Sequence, residues 1–157
     1  MALRGASALA RRHNDRVRAT SIPVASNHAL RHAVEIRSET FRTEDLIALL
    51  RRHRIALVVA DTAGRWPLLE DVTADFVYVR LHGDTELYAS CYTSGALDAW
   101  AERIDAWRRG REAADVRRAS AKPPAKRARR DVYCYFDNDM KVRAPFDAQA
   151  LRARLGA

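Results

Sequence analysis

The segment Asp75–Asp84, DFVYVRLHGD, constrains the fold more than any other stretch of the chain. A strand points alternate side chains to opposite faces, so Val77, Val79 and Leu81 form one apolar row and Phe76, Tyr78, Arg80 and His82 form another whose far end is polar. The first row is suited to packing against helices. The second lines something chemical. A neighbouring stretch, IALVVAD (55–61), is a continuous apolar strand that ends in an acid.

The remaining segments alternate between the two periodicities. Residues 7–18 read as a helix, HAVEIR (32–37) as a short strand, and TEDLIALLRRH (43–53) as a helix with Leu46, Leu49 and Leu50 on its stripe. Thr43 is its N-cap, acids occupy its first turn and basic residues its last. SGALDAWAERIDAWRRG (94–110) places Leu97, Trp100, Ile104 and Trp107 at helical spacing and stops at Gly110. DVYCYFDND (131–139) is a fourth strand, and APFDAQALRARL (144–155) a last helix with Pro145 near its start. This order indicates an α/β fold with a mostly parallel sheet of about four strands. Each strand ends in polar residues: Glu35 and Arg37, Asp61, Arg80 and His82, then Asp137, Asn138 and Asp139. In barrels and doubly wound sheets alike, the carboxyl ends of the strands carry the site. No GxGxxG or GxxxxGK[ST] stretch supports nucleotide cradling, so a barrel-like arrangement fits better.

With 157 residues, 48% of them hydrophobic and 31% charged, one domain with one core is expected over residues 1–157. No apolar run approaches the ~18 residues of a membrane span, and the first twenty residues lack a signal peptide's apolar region, so a cytoplasmic location is expected. Cys91 and Cys134 are too few and too far apart for a zinc-finger spacing or a disulfide framework, and read as reduced thiols. The net charge of +8 is largely local: RRASAKPPAKRARR (117–130) holds seven basic residues and no acid. Residues 111–130 are therefore expected to be a basic, Pro/Ala-rich disordered insertion. Such a segment can hold nucleic-acid phosphates, or be a tolerated insertion with no partner.

Taken together, RHAVEIR, VVADT, DFVYVRLHG, YASCYTSGALDAWAERI and DVYCYFDND resemble, in order and spacing, the second half of the YecE-like family, domain of unknown function 72. The resemblance covers about residues 7–155. It implies a TIM-type (β/α) barrel of which this chain is the C-terminal half, truncated before the first strands. It implies no reaction, because the family has no established activity. Departures are SETF (38–41) in place of a His-Pro-Ser-Trp-like stretch, Cys91 in place of a glycine, and no glycine after Asn138.

By match to the family pattern, Glu35, Arg37, Asp61, Tyr78, Arg80, His82, Tyr92 and Asn138 are expected at the barrel mouth. His82, whose ordinary pKa lies near neutrality, is the natural acid or base, with Glu35 and Asp61 as catalytic carboxylates. Arg80 offers a planar fork to carboxylate or phosphate, with Arg37, Tyr78, Tyr92 and Asn138 as further binding residues. The competing readings are an interior ion-pair network of Glu35, Arg37 and Arg80 and a structural His82. Asp137 competes with Asn138 for the inward position. No HxxxH or clustered acidic spacing supports a metal, and no cofactor is indicated. The functional expectation is thus an enzyme acting on an anionic or phosphate-containing substrate; the alternatives are a non-catalytic remnant and a nucleic-acid-binding protein using the basic loop. A half-barrel leaves two sheet edges open, which predicts either a homodimer or a poorly soluble, partly molten chain.

Overall fold

A computed structural model describes Arg12 and residues 28–156. The helix expected over 7–18 lies outside the described residues apart from Arg12. Residues 33–156 form an α/β unit of four parallel strands in one sheet: β1 (Ala33–Val34), β2 (Ala56–Asp61), β3 (Phe76–Leu81) and β4 (Asp131–Phe136), side by side in chain order. Among the described residues the helices are α1 (Glu44–His53), α2 (Ser94–Arg108) and α3 (Ala144–Arg154), with 3-10 turns at Glu39–Phe41 and Met140–Val142. The fold class is the one expected, and the open four-stranded sheet is consistent with part of a barrel. No helix among the described residues is long and apolar enough to cross a membrane.

Local chemistry starts each helix where the sequence placed it. The Thr43 and Thr93 hydroxyls accept hydrogen bonds from the Leu46 and Ala96 amides, capping α1 and α2. Pro145 sits in the first turn of α3, where its missing N–H costs nothing. The stripe of α1 is rotated from expectation: Ile47 and Leu50 are its buried residues, Leu46 packs at the margin, and Leu49 faces out. Ile47 and Leu50 meet Ile36, Leu57 and Leu69. On α2 all four expected residues, Leu97, Trp100, Ile104 and Trp107, are buried against Val77, Val79 and Leu81. Each large apolar side chain so buried contributes about 1.5–3 kcal/mol.

Register carries this one-sidedness across the sheet. Val59 pairs with Val79 and Val79 with Cys134, so these share the helix-covered face. Val58 pairs with Tyr78 and Tyr78 with Tyr133, so these share the other. The face opposite the helices carries Tyr133 and Tyr135 at 41% and 50% exposure, a wet face rather than a core.

Residues 111–130 differ from the solvated, disordered insertion expected. They hold no helix or strand, yet their backbone is tied down by two acids that the sequence reading left unused. Glu70 Oε2 accepts from the Arg117 amide at 2.9 Å, and the Glu70 amide donates to the Arg117 carbonyl at 2.7 Å. Asp71 accepts from the amides of Ala119 and Ser120 at 2.7 and 3.1 Å. Both carboxylates are 1% exposed, and Arg103 donates to Glu70 at 2.9 Å. The segment forms a strap that leads into the amino end of β4.

Candidate functional site

At the carboxyl ends of the strands, on the face away from the helices, four charged side chains form a chain of alternating sign. Arg37 Nε donates to Glu35 Oε1 at 2.8 Å; Arg80 Nη1 donates to Glu35 Oε2; Arg80 Nε donates to Asp137 Oδ2 at 2.8 Å, joined there by Arg80 Nη2. The Arg37 guanidinium lies over the Trp66 ring, 4.2 Å from its centroid. Three strands contribute because side chains i and i+2 share a face: Glu35 follows Ala33, Arg80 follows Tyr78, and Asp137 follows Tyr135. The Tyr78 and Tyr135 rings stack at 5.1 Å. Ala33, Val58, Tyr78, Tyr135, Glu35, Arg80 and Asp137 line a concavity of about 420 Å³.

Beneath this chain lies His82. It is 0% exposed, its Nδ1 is 3.5 Å from Asp137 Oδ2, its Nε2 is 4.0 Å from Glu35 Oε2, and neither nitrogen has a hydrogen-bond partner among the described residues. The ring is held edge-on to Tyr88 at 5.3 Å. Burial and then the Arg80 charge push the imidazole below its ordinary pKa, against the smaller pull of Asp137 and Glu35. Burial works against ionisation of Glu35, but its bonds to Arg37 and Arg80 outweigh that and lower its pKa. Arg80 likewise loses solvation yet is raised by Glu35 and Asp137. Above pH 6.5 the imidazole is therefore the uncharged member of the cluster.

Three of the expected mouth residues lie elsewhere. Asp61 pairs in register with Leu81 and Leu81 with Phe136, which places Asp61 on the helix-covered face. There it accepts from the Tyr92 hydroxyl at 3.1 Å, and that hydroxyl accepts from the Gly83 amide at 3.1 Å. Burial first, then the neighbouring Asp84, raises the Asp61 pKa against its hydrogen bonds; burial first, then Asp61, raises that of Tyr92. Asn138 is fully buried and donates to the Ser90 carbonyl at 3.0 Å and to Asp147 Oδ2 at 2.7 Å. The same Asp147 oxygen accepts from the Tyr92 amide at 3.1 Å. Asn138, Tyr92 and Asp147 thus bind the loop before α2 to α3. Of the two candidates on the last strand, Asp137 is the one at the concavity.

The family model for "Protein of unknown function DUF72" matches residues 7–157. The chain belongs to the DUF72 family. Solved structures give the same fold: a DUF72 family protein of Thermotoga maritima superposes with TM-score 0.64 at 23% identity, over 82% of this chain and 47% of that one. One from Enterococcus faecalis superposes with TM-score 0.61 at 16% identity, over 82% and 48%. The chain therefore spans about half the length of these relatives. No curated protein matches it.

Within this DUF72 chain, the sequence reading brought Glu35, Arg37, Tyr78, Arg80 and His82 together and missed Tyr135. The signal for Tyr135 was present: YCYFD repeats at two-residue spacing the aromatic-then-charged order of YVR in the neighbouring strand. Among the described residues no group of three or more His, Cys, Asp or Glu side chains is placed to hold a metal. Burial pushes the Cys134 thiol up to about 12, which removes it as a nucleophile.

Proposed function

We propose that this face is part of a barrel-type enzyme site for an anionic or phosphate-containing substrate, with Arg80 as the clamp and His82 as the reserve of proton affinity behind it. The observation that carries the reading is a buried, unpartnered His82 lying directly against the two carboxylates that orient Arg80. A guanidinium has five N–H donors; Glu35 and Asp137 take three from Arg80 and leave two, in a fixed plane, for a ligand. Because His82 is fully buried and is not among the residues lining the concavity, it cannot meet a substrate directly. A proton leaving the ligand passes to Asp137 or Glu35 and from there to the neutral His82 imidazole, and a 3.5 Å separation can tighten when a ligand binds. His82 is then a positioning residue, and Asp137 and Glu35 are the groups in contact. The stacked Tyr78 and Tyr135 supply a flat apolar wall beside the charges.

The competing reading, an ion-pair network with no chemistry, is favoured by the same three bonds to Arg80. Thermal melts of the chain titrated with inorganic phosphate and with small dicarboxylates separate the two. A saturable stabilisation that weakens about tenfold or more in Arg80→Ala is expected, since a hydrogen bond to a charged group contributes roughly 1.5–3 kcal/mol. If no anion stabilises the parent while Arg80→Ala and Glu35→Ala each lose several degrees, the residues are structural.

Assembly belongs to the same proposal. β1 and β4 each have one neighbouring strand among the described residues, and Tyr133 and Tyr135 are exposed on the adjoining face. Light scattering is expected to give a homodimer of the 157-residue chain. A monodisperse monomer with one cooperative transition would remove that expectation. A cytoplasmic setting is likewise part of the proposal.

A further inference from the structure

A second charged surface lies at the opposite ends of the strands. The strap runs into the start of β4, α1 ends immediately before β2, and Val72–Asp75 lead into β3, so all three meet at the amino edge of the sheet. Arg51 of α1 joins them: its Nε donates to the Val72 carbonyl at 3.4 Å and its Nη1 to the Lys122 carbonyl at 3.1 Å. Between these pieces is a cavity of about 150 Å³ whose lining includes Arg51, Arg54 and Arg127, with Asp75 as its single acid.

Two features make this surface more than a solvated charge run. The first is incomplete pairing. Among the described residues Arg51 Nη2 and Arg130 Nε and Nη1 are buried donors with no hydrogen-bond partner, Arg130 is only 5% exposed, and the Glu112 carboxylate, which acts on both guanidiniums through its charge, hydrogen-bonds to Arg118 and to neither of them. Buried guanidinium nitrogens left without acceptors are costly, and oxygen acceptors brought by a ligand would offset that cost. The second is fixation. The buried carboxylates of Glu70 and Asp71 hold the strap's backbone, so its cations form a surface of set shape. Lys122, Lys126, Arg127 and Arg129 on the strap, with Arg52 on α1 and Arg54 just past its end, are exposed. None of these six forms a side-chain hydrogen bond or ion pair among the described residues.

We propose that the strap and the end of α1 form a docking face for the phosphate backbone of a nucleic acid, one phosphate seating in the cavity between Arg51, Arg54 and Arg127. A polymer is favoured over a single phosphorylated molecule because the exposed cations extend beyond what one phosphate can contact. Recognition is by charge and spacing and not by base, since no aromatic residue lies in the strap to stack on one. The face is separate from the concavity at the carboxyl ends, so either assignment can fail without the other.

The test is fluorescence anisotropy of a labelled mixed-sequence oligonucleotide, single- and double-stranded, against the full chain over a series of KCl concentrations. The triple variant Lys126→Glu, Arg127→Glu, Arg129→Glu is expected to weaken binding at least tenfold and to lower the log–log salt slope by about 2–3. A matched triple, Arg42→Glu, Arg65→Glu, Arg143→Glu, makes the same charge change on exposed residues at the other end of the sheet and is expected to have at most a few-fold effect. All six side chains are exposed, and a cooperative melt confirms that both variants fold. Equal losses in the two variants would mean that only the net charge acts, and would overturn the proposal. So would no binding at 50 mM KCl, or inorganic phosphate binding as tightly as the oligonucleotide, which would assign the cavity to a small phosphorylated ligand.

Discussion

Asp71→Ala is expected to destabilise the chain by about 3 kcal/mol, because the buried carboxylate accepts two backbone hydrogen bonds and bonds to a charged group contribute roughly 1.5–3 kcal/mol each. For a chain of this size that is a fall in melting temperature of roughly 6–12 °C. The amides of Ala119 and Ser120 must then find water, which they reach only if the strap lifts. The released backbone can then enter the trypsin site at its already exposed basic residues. Asp71→Asn keeps one good acceptor and is expected to lose about half as much. Gly110→Ala disturbs the strap at a second point: Gly110 has φ of +72°, and an added Cβ would lie 1.8 Å from the Arg127 carbonyl oxygen, so the strap must move. Limited trypsin digestion read by mass spectrometry checks both. If the parent chain is cut within 117–130 as fast as Asp71→Ala, the strap is not held by this carboxylate.

The strap also marks where sequence reading stops. Composition identified residues 117–130 correctly as basic and without periodicity, and irregular backbone is what forms there. Its order comes from Glu70 and Asp71, more than forty residues earlier, in a connection with no periodicity of its own. Nothing local announces such a partner. The faces of β3 were legible because Val77, Val79 and Leu81 differ in kind from Tyr78, Arg80 and His82. β4 was not, because Tyr133 and Tyr135 suit an apolar face nearly as well as Val132, Cys134 and Phe136 do. Register with β3 separates them: Tyr78 opposite Tyr133 and Arg80 opposite Tyr135 put Asp137 on the charged face and Asn138 among the packing residues. Asp61 misled for a related reason. A polar residue at the end of an apolar strand reads as a site residue whichever face it is on, and only its alignment with Leu81 shows that it is turned toward the helices.

The site's charges make the second large prediction, in which Arg80→Met raises the pKa of His82 and reduces the acid sensitivity that this residue gives the fold. Methionine keeps most of the stem's packing and removes the charge. The cost to stability is expected to be about 2 kcal/mol, below the ~3–5 kcal/mol of a fully buried pair because the Arg80 side chain is 30% exposed. In the parent, His82 has a pKa below 6.5 in the folded chain, through burial and then Arg80. The unfolded chain therefore binds more protons just below pH 6.5, and stability that is complete above that pH declines as pH falls toward the folded pKa. Glu35 adds a later loss: its folded pKa lies below 4.5, so its contribution is present above 4.5 and declines below it. Without Arg80, two carboxylates face the imidazole from 3.5 and 4.0 Å with no cation between them. Its pKa should rise, and acidification from pH 7 to 5 should destabilise the chain less through this residue, the part set by burial remaining. His82→Gln should abolish the same step in the parent without affecting the loss below pH 4.5. Imidazole proton shifts followed by NMR, with chemical melts at pH 7, 6 and 5, read both quantities. An imidazole in Arg80→Met that titrates no higher than in the parent would show that Arg80 does not control it, and that burial alone keeps His82 neutral.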